Sequence, residues 1–121
     1  MTSPTQARGF QAEDWAARFL QQQGLSLMQR NYRCRLGEID LIMQDQPDEL
    51  VFVEVRYRKQ AQHGDASESV TPTKQRRLIL AAEHFLLKNP QYTDRYTRFD
   101  VLGLNGQSAK PDWIKNAFCV E

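Results

Sequence analysis

Residues 38–58 read EIDLIMQDQPDELVFVEVRYR, and this stretch decides the fold. Glu38–Met43 and Leu50–Arg58 carry the β-branched and aromatic residues that suit a pleated, half-buried surface. Between them, the polar run Gln44–Glu49 with Pro47 supplies turn chemistry, so the two segments are expected to form an antiparallel hairpin. Alternation then sorts each strand into faces. Val51, Val53, Val55 and Tyr57 are expected on one side, and Phe52, Glu54, Arg56 and Arg58 on the other. In the preceding strand Ile39, Leu41 and Met43 share a side opposite to Glu38, Asp40 and Ile42. Centring the turn on Pro47 sets Ile42 across from Phe52, Asp40 from Glu54 and Glu38 from Arg56.

Upstream, Leu25–Asn31 reads as a further strand. It is preceded by a helix over Gln6–Gln23, whose Phe10, Ala12, Ala16, Phe19 and Leu20 build an apolar stripe. Gly24 is the expected helix stop, and residues 1–5 the expected frayed start. Downstream, Lys59–Val70 is polar and small and is expected to be an exposed, mobile loop. Thr71-Pro72 then offers an N-cap hydroxyl and an N1 proline for a second helix, reaching Lys88 and burying Leu78, Ala82, Phe85 and Leu86. Asn89-Pro90 closes it, and strands follow at Arg98–Leu104 and Asp112–Val120. The order αβββαββ predicts an α/β sandwich, a central mixed sheet flanked by two helices. At 121 residues the chain is expected to be a single domain over 1–121.

Composition excludes several classes. With 40% hydrophobic and 26% charged residues, the chain is neither disordered nor a coiled coil. No apolar run approaches the roughly 20 residues of a membrane helix, and MTSPTQARGFQAED lacks the apolar core of a secretory signal. A cytoplasmic protein without a membrane partner is the expectation, with Cys34 and Cys119 as reduced thiols outside any CxxC pair. The net charge of +1 does not by itself point to nucleic acid. Its distribution says more. Residues 51–80 hold Arg56, Arg58, Lys59, Lys74, Arg76 and Arg77 against only Glu54, Asp65 and Glu68.

Two carboxylates directly opposed on neighbouring strands have Cβ atoms about 4.5–5.5 Å apart, which is destabilising if nothing lies between them. Three remedies exist for Asp40 and Glu54: a hard divalent cation, a shared proton, or neutralisation by Arg56 and Arg58. Carboxylate oxygens with open water positions suit Mg²⁺. Arg58, Lys74 and Arg77 would then form a phosphate-contacting rim. Plainer readings stand beside these. Asp40 and Glu54 can be solvent-facing partners of the arginines, Glu38 a turn or salt-bridge residue, Gly37 a bend, and Lys74, Arg76 and Arg77 a solvated helix face. His63 and His84 lack ligand-spaced partners, and Asp100 is placed to order Arg98 rather than bind metal.

Taken together, GEIDLIM (37–43), VFVEVRYR (51–58), Ser69-Val70-Thr71 with Lys74 and Arg77, RFDV (98–101) and WIKNAF (113–118) resemble the YraN family of small bacterial proteins, over nearly the whole chain from Gly9 onward. That family is similar to restriction-endonuclease-like nucleases, in particular Holliday-junction resolvases. The resemblance implies a restriction-endonuclease-like sandwich with a PD-(D/E)xK site. Asp40 would be the central metal-binding aspartate, Glu54 the acid of the ExK element, the Val55 carbonyl a further ligand and Glu13 the accessory carboxylate. The metal would be Mg²⁺ or Mn²⁺. Where that pattern has lysine, this chain has Arg56, and Ile39 replaces the proline of PD. Arginine neutralises phosphoryl charge well, but it cannot serve as a base near neutrality.

The leading expectation is therefore a metal-dependent endonuclease acting on DNA, branched DNA included, with Asp40, Glu54, Arg56 and Glu13 as catalytic residues. Paired incisions would suggest a homodimer. One alternative is a catalytically inactive nucleic-acid-binding module of the same fold. Another is a protein-interaction domain.

Overall fold

The hairpin closes in the register that a turn about Pro47 dictates. In a computed structural model, which describes residues 4–58, 70–105 and 111–119, Ile42 pairs with Phe52 and Leu41 with Val53. Its strands are β2 (Gly37–Gln44) and β3 (Glu49–Arg58). Before them come α1 (Pro4–Gln22) and β1 (Ser26–Cys34); after them come α2 (Pro72–Lys88), a 3₁₀ turn (Pro90–Tyr92), β4 (Tyr96–Asn105) and β5 (Asp112–Phe118). The five strands lie in the order β1-β2-β3-β4-β5, antiparallel except for the parallel β3–β4 pair. A parallel pair needs a crossover, and α2 supplies it. This is the mixed αβββαββ sandwich that the sequence predicts.

Both helices begin or end where local chemistry requires. The Thr71 hydroxyl caps α2 by accepting from the Lys74 N–H at 3.3 Å, with Pro72 at the first helical position. Gly24, at φ 101°, ends α1: the Leu25 N–H reaches back to the Leu20 carbonyl at 3.0 Å. At its start α1 runs to Pro4, so residues 4 and 5 are helical rather than frayed. Proline is tolerated in a first turn, where its missing N–H has no partner to lose.

The helices cover opposite faces of the sheet. Ala12, Ala16, Ala17 and Leu20 of α1 pack on Leu41, Met43, Val51, Val53, Leu102 and Leu104. From α2, Leu78, Ala81, Ala82 and Phe85 pack on Ile42, Leu50, Phe52, Phe99 and Val101. Alternate residues of β3 thus feed two cores, and each fully buried large apolar side chain contributes about 1.5–3 kcal/mol. Val70 joins the α2-side core at 3% exposure, which corrects its placement in an exposed loop. The remainder of that expected loop, 59–69, lies outside the described residues, as do residues 1–3. No helix among the described residues is long and apolar enough to cross a membrane.

One expectation about faces fails. Ile39 belongs to the α2-side core with Tyr32 and Ile42, not with Leu41 and Met43. Alternation in β2 therefore breaks between Ile39 and Leu41, at Asp40. Across from this break, Asn31 has φ 52°, a left-handed conformation that asparagine tolerates better than most residues. Either side of it the register pairs Arg30 with Leu41 and Tyr32 with Ile39.

Candidate functional site

The β2–β3 ladder ends at Leu41–Val53, one residue short of Asp40 and Glu54. Past that point a side chain takes over from backbone pairing: the Val55 N–H donates to Asp40 Oδ2 at 2.8 Å. The Glu54 carboxyl stands next to Asp40. Burial pushes the Asp40 carboxyl up to about 8, reinforced by the Glu54 carboxyl beside it and opposed by the Val55 N–H.

Glu13, on α1, lies within electrostatic reach of Asp40. Its carboxyl is raised by burial and by the Asp40 charge, while a hydrogen bond from the Asn31 side chain and the charges of Arg30 and Arg33 work the other way. Its Oε1 is buried with no hydrogen-bond partner. The neighbouring Asp14 carboxylate, fully exposed, pairs with Arg30 at 2.8 Å and ties α1 to β1.

On the α2 side, Glu54 and Arg56 line an open pocket of about 110 Å³ with Glu38, Lys74, Arg77 and Leu78. Gly37 makes this approach possible. A Cβ there would lie 2.3 Å from the Arg77 carbonyl oxygen, so only glycine lets α2 settle this close to β2. Glu38 also pairs with Arg33 at 3.5 Å, both side chains exposed, as the salt-bridge reading had it.

The structure thus brings together Asp40, Glu54 and Val55, sets Glu13 within electrostatic reach of Asp40, and gathers Arg56, Lys74 and Arg77 at one pocket. Arg58 ends β3, and its side chain lies outside the described residues, as does His63. His84 is bonded through Nδ1 to the Tyr32 hydroxyl, a link between α2 and β1. Asp100 accepts from Arg98 Nε, Trp113 Nε1 and the Asn116 N–H, so its ordering role holds. Cys34 and Cys119 are free thiols. Sequence reasoning missed Asn31, Gly37's packing role and the pocket position of Glu38. An asparagine inside a strand pattern was the available signal for the first.

Among the described residues no three His, Cys, Asp or Glu side chains already form a metal-ligand cluster. The donor chemistry of two neighbouring carboxyl groups beside the Val55 backbone suits a hard divalent cation.

Fold and site define an α/β sandwich in which Glu54, next to Asp40 at the end of a hairpin ladder, faces the basic first turns of α2 across a small pocket. More narrowly, the chain belongs to the uncharacterised protein family UPF0102, the YraN family of the motif resemblance, which it matches over residues 12–104. It is 50% identical over 116 residues to a UPF0102 protein of Nitrosococcus oceani, covering 94% of this chain and 93% of that one. A UPF0102 protein of Alcanivorax borkumensis is 52% identical over 116 residues, covering 93% and 92%. Another, from Ralstonia nicotianae, is 52% identical over 118 residues, covering 95% and 88%.

Proposed function

We propose that this protein is a Mg²⁺- or Mn²⁺-dependent endonuclease that hydrolyses DNA phosphodiester bonds. The observation that carries the reading is the contact of Asp40 with Glu54, where Glu54 also lines a pocket shared with Arg56, Lys74 and Arg77. Asp40 and Glu54 would hold the cation, with the Val55 carbonyl and Glu13 as further oxygen donors. When bound, such a cation supplies a Lewis acid for the phosphoryl oxygens and makes water a nucleophile near neutral pH.

The chain's own residues do the rest. Lys74 and Arg77, exposed on the first turns of α2, bind the DNA backbone, and Arg58 would join them. Arg56 neutralises charge that builds on the phosphoryl oxygens as water attacks phosphorus. The P–O3′ bond breaks, leaving a 5′-phosphate and a 3′-hydroxyl. Likeness to Holliday-junction resolvases adds branched DNA as the substrate class, a homodimer for paired cuts, and a cytoplasmic setting that suits two free thiols.

Arg56 also favours a second reading, a module that binds nucleic acid without cutting it, because arginine cannot accept the proton of the attacking water. Purified protein incubated in Mn²⁺ with four-way junction, flap and plasmid DNA separates the two. Cleavage that Asp40→Ala abolishes supports the enzyme. Binding without any cleavage supports the module, and no DNA affinity even at low salt leaves neither standing.

A further inference from the structure

The α1 face of the sheet carries a group of aromatic side chains that the site above does not use. Both tryptophans of the chain belong to it, Trp15 on α1 and Trp113 on β5. Its order starts from a buried carboxylate: Asp100 accepts from Trp113 Nε1 at 2.9 Å, which fixes that indole. Trp113 meets Phe19 edge-on at 6.0 Å, and Phe19 lies almost parallel to Trp15, with 6.5 Å between ring centres and 8° between planes. The Lys115 ammonium stands over the Trp113 ring at 4.4 Å. Phe19 and Trp113 are half-buried against the core, so Trp15, 47% exposed, is the ring of this group most open to solvent.

The size and charge of this surface decide what it can take. At about 150–250 Å² for a whole aromatic side chain, the open parts of the three rings come to no more than about 300 Å². A standard protein interface takes about 800 Å² from each partner, far more than these rings offer. A single planar ring system matches them better. Cations flank the rings. Lys115 is exposed beside Trp113, and Arg18, 75% exposed, follows Trp15 by about one helical turn. Asp14, the nearest acid in sequence, is held by Arg30 at 2.8 Å against 3.9 Å for Arg18. A flat π surface between cations takes a base on its ring and phosphates at its rim, the combination that single-strand binding uses. The ring's orientation is set before any ligand arrives, which lowers the cost of binding.

We propose that Trp15, backed by Phe19 and Trp113, is a stacking platform for an unpaired base of single-stranded DNA, with Lys115 and Arg18 placed for the flanking phosphates. The pocket of Lys74 and Arg77 lies against α2, on the other face of the sheet, so the platform is a second contact and needs no cation at Asp40 and Glu54. It shares with the reading above only the premise that the partner is DNA. It adds a means of telling strands with unpaired bases from continuous duplex.

Because both tryptophans belong to this surface, intrinsic fluorescence reports on it alone. Titrating the full chain with oligothymidylate at low salt, without divalent metal, should quench that fluorescence saturably. Anisotropy of a fluorescein-labelled oligothymidylate should give a Kd that rises about tenfold in Trp15→Ala, the weight of one stacked base, and that Trp15→Phe largely restores. Lys115→Ala should weaken binding less and lower the salt slope by about one. Since Trp15 projects from the helix, its variants should keep the thermal midpoint to within a few degrees. No quenching, a Kd unchanged in Trp15→Ala, or equally tight binding of an abasic oligomer of the same charge overturns the platform. Self-association of the free protein that Trp15→Ala abolishes also overturns it, by making this face a protein interface. Metal-dependent cleavage of junction DNA can persist through any of these results, and quenching can occur in a protein that never cuts, so platform and endonuclease fail separately.

Discussion

Two aspartates sit on inner strands of the same sheet, and each accepts a backbone N–H through its side chain. At Asp100 on β4, the donors are Arg98 Nε at 3.0 Å, Trp113 Nε1 at 2.9 Å and the Asn116 N–H at 2.9 Å. Arg98 is bonded in turn to Asp45 at 2.9 Å and Glu49 at 2.6 Å. Burial disfavours the Arg98 charge, but its bonds to Asp100 and Asp45 and the Glu49 charge outweigh that and raise its pKa. At Asp40 on β2, the surroundings are acidic instead: Glu54 in contact, with Glu38 and Glu13 nearby. One aspartate is neutralised by the chain. The other is kept protonated up to about pH 8 by burial and by its acidic neighbour. That contrast separates a carboxylate that holds the fold from one placed to bind.

The contrast can be broken most forcefully at Asp100. Asp100→Ala strips one of three carboxylate partners from the largely buried Arg98 and orphans two N–H donors, so urea unfolding should show a loss of about 3–5 kcal/mol. A loss under 1 kcal/mol would mean that the Asp100 network is not structural.

Gly37→Ala tests how firmly α2 is seated beside the acid pair. The added methyl meets the Arg77 carbonyl, and the strain should lower stability by about 1–3 kcal/mol while displacing Lys74 and Arg77 from the pocket. DNA binding should weaken together with stability.

Asp40→Asn should go the opposite way. The native carboxyl keeps its proton up to about pH 8, whereas the unfolded one loses it near its ordinary 3.8. Between those values only the native state carries the proton, so metal-free stability falls as pH rises through the window and levels off above it. Asparagine cannot lose that proton. The variant should flatten this part of the pH profile and raise metal-free stability at pH 8 by about 1–2 kcal/mol, a gain typical of removing a functional charge. A destabilised Asp40→Asn would make Asp40 a second structural aspartate.

The smallest effect on folding should come from Lys74→Ala, whose side chain is exposed. Urea midpoints should not move, but DNA affinity should fall and the slope of log K against log salt should drop by about one. An unaltered salt slope would remove Lys74 from the DNA surface.

What the sequence made legible follows the range of the interactions involved. Short-range chemistry was readable: the Pro47-centred turn fixed the β2–β3 register, Gly24 ended α1, and Thr71-Pro72 opened α2. Because register was legible, so was the meeting of Asp40 and Glu54. The break in alternation at Asp40, across from the left-handed Asn31, was not, since period-two reasoning treats each strand alone. Gly37 read as a local bend because its actual constraint, the Arg77 backbone, is forty residues away in sequence. Val70 looked like loop because its neighbours are polar, yet the apolar face of α2 recruits it into the core.

The central proposal is that a divalent cation at Asp40 and Glu54 displaces the proton that Asp40 keeps up to about pH 8. Calorimetric titration of the metal-free protein with Mn²⁺ at pH 7, repeated in buffers of different ionisation enthalpy, counts protons released on binding. The account predicts saturable binding with release approaching one proton per Mn²⁺, and loss of both in Asp40→Asn. Binding without proton release, or binding that Asp40→Asn leaves unchanged, would contradict it.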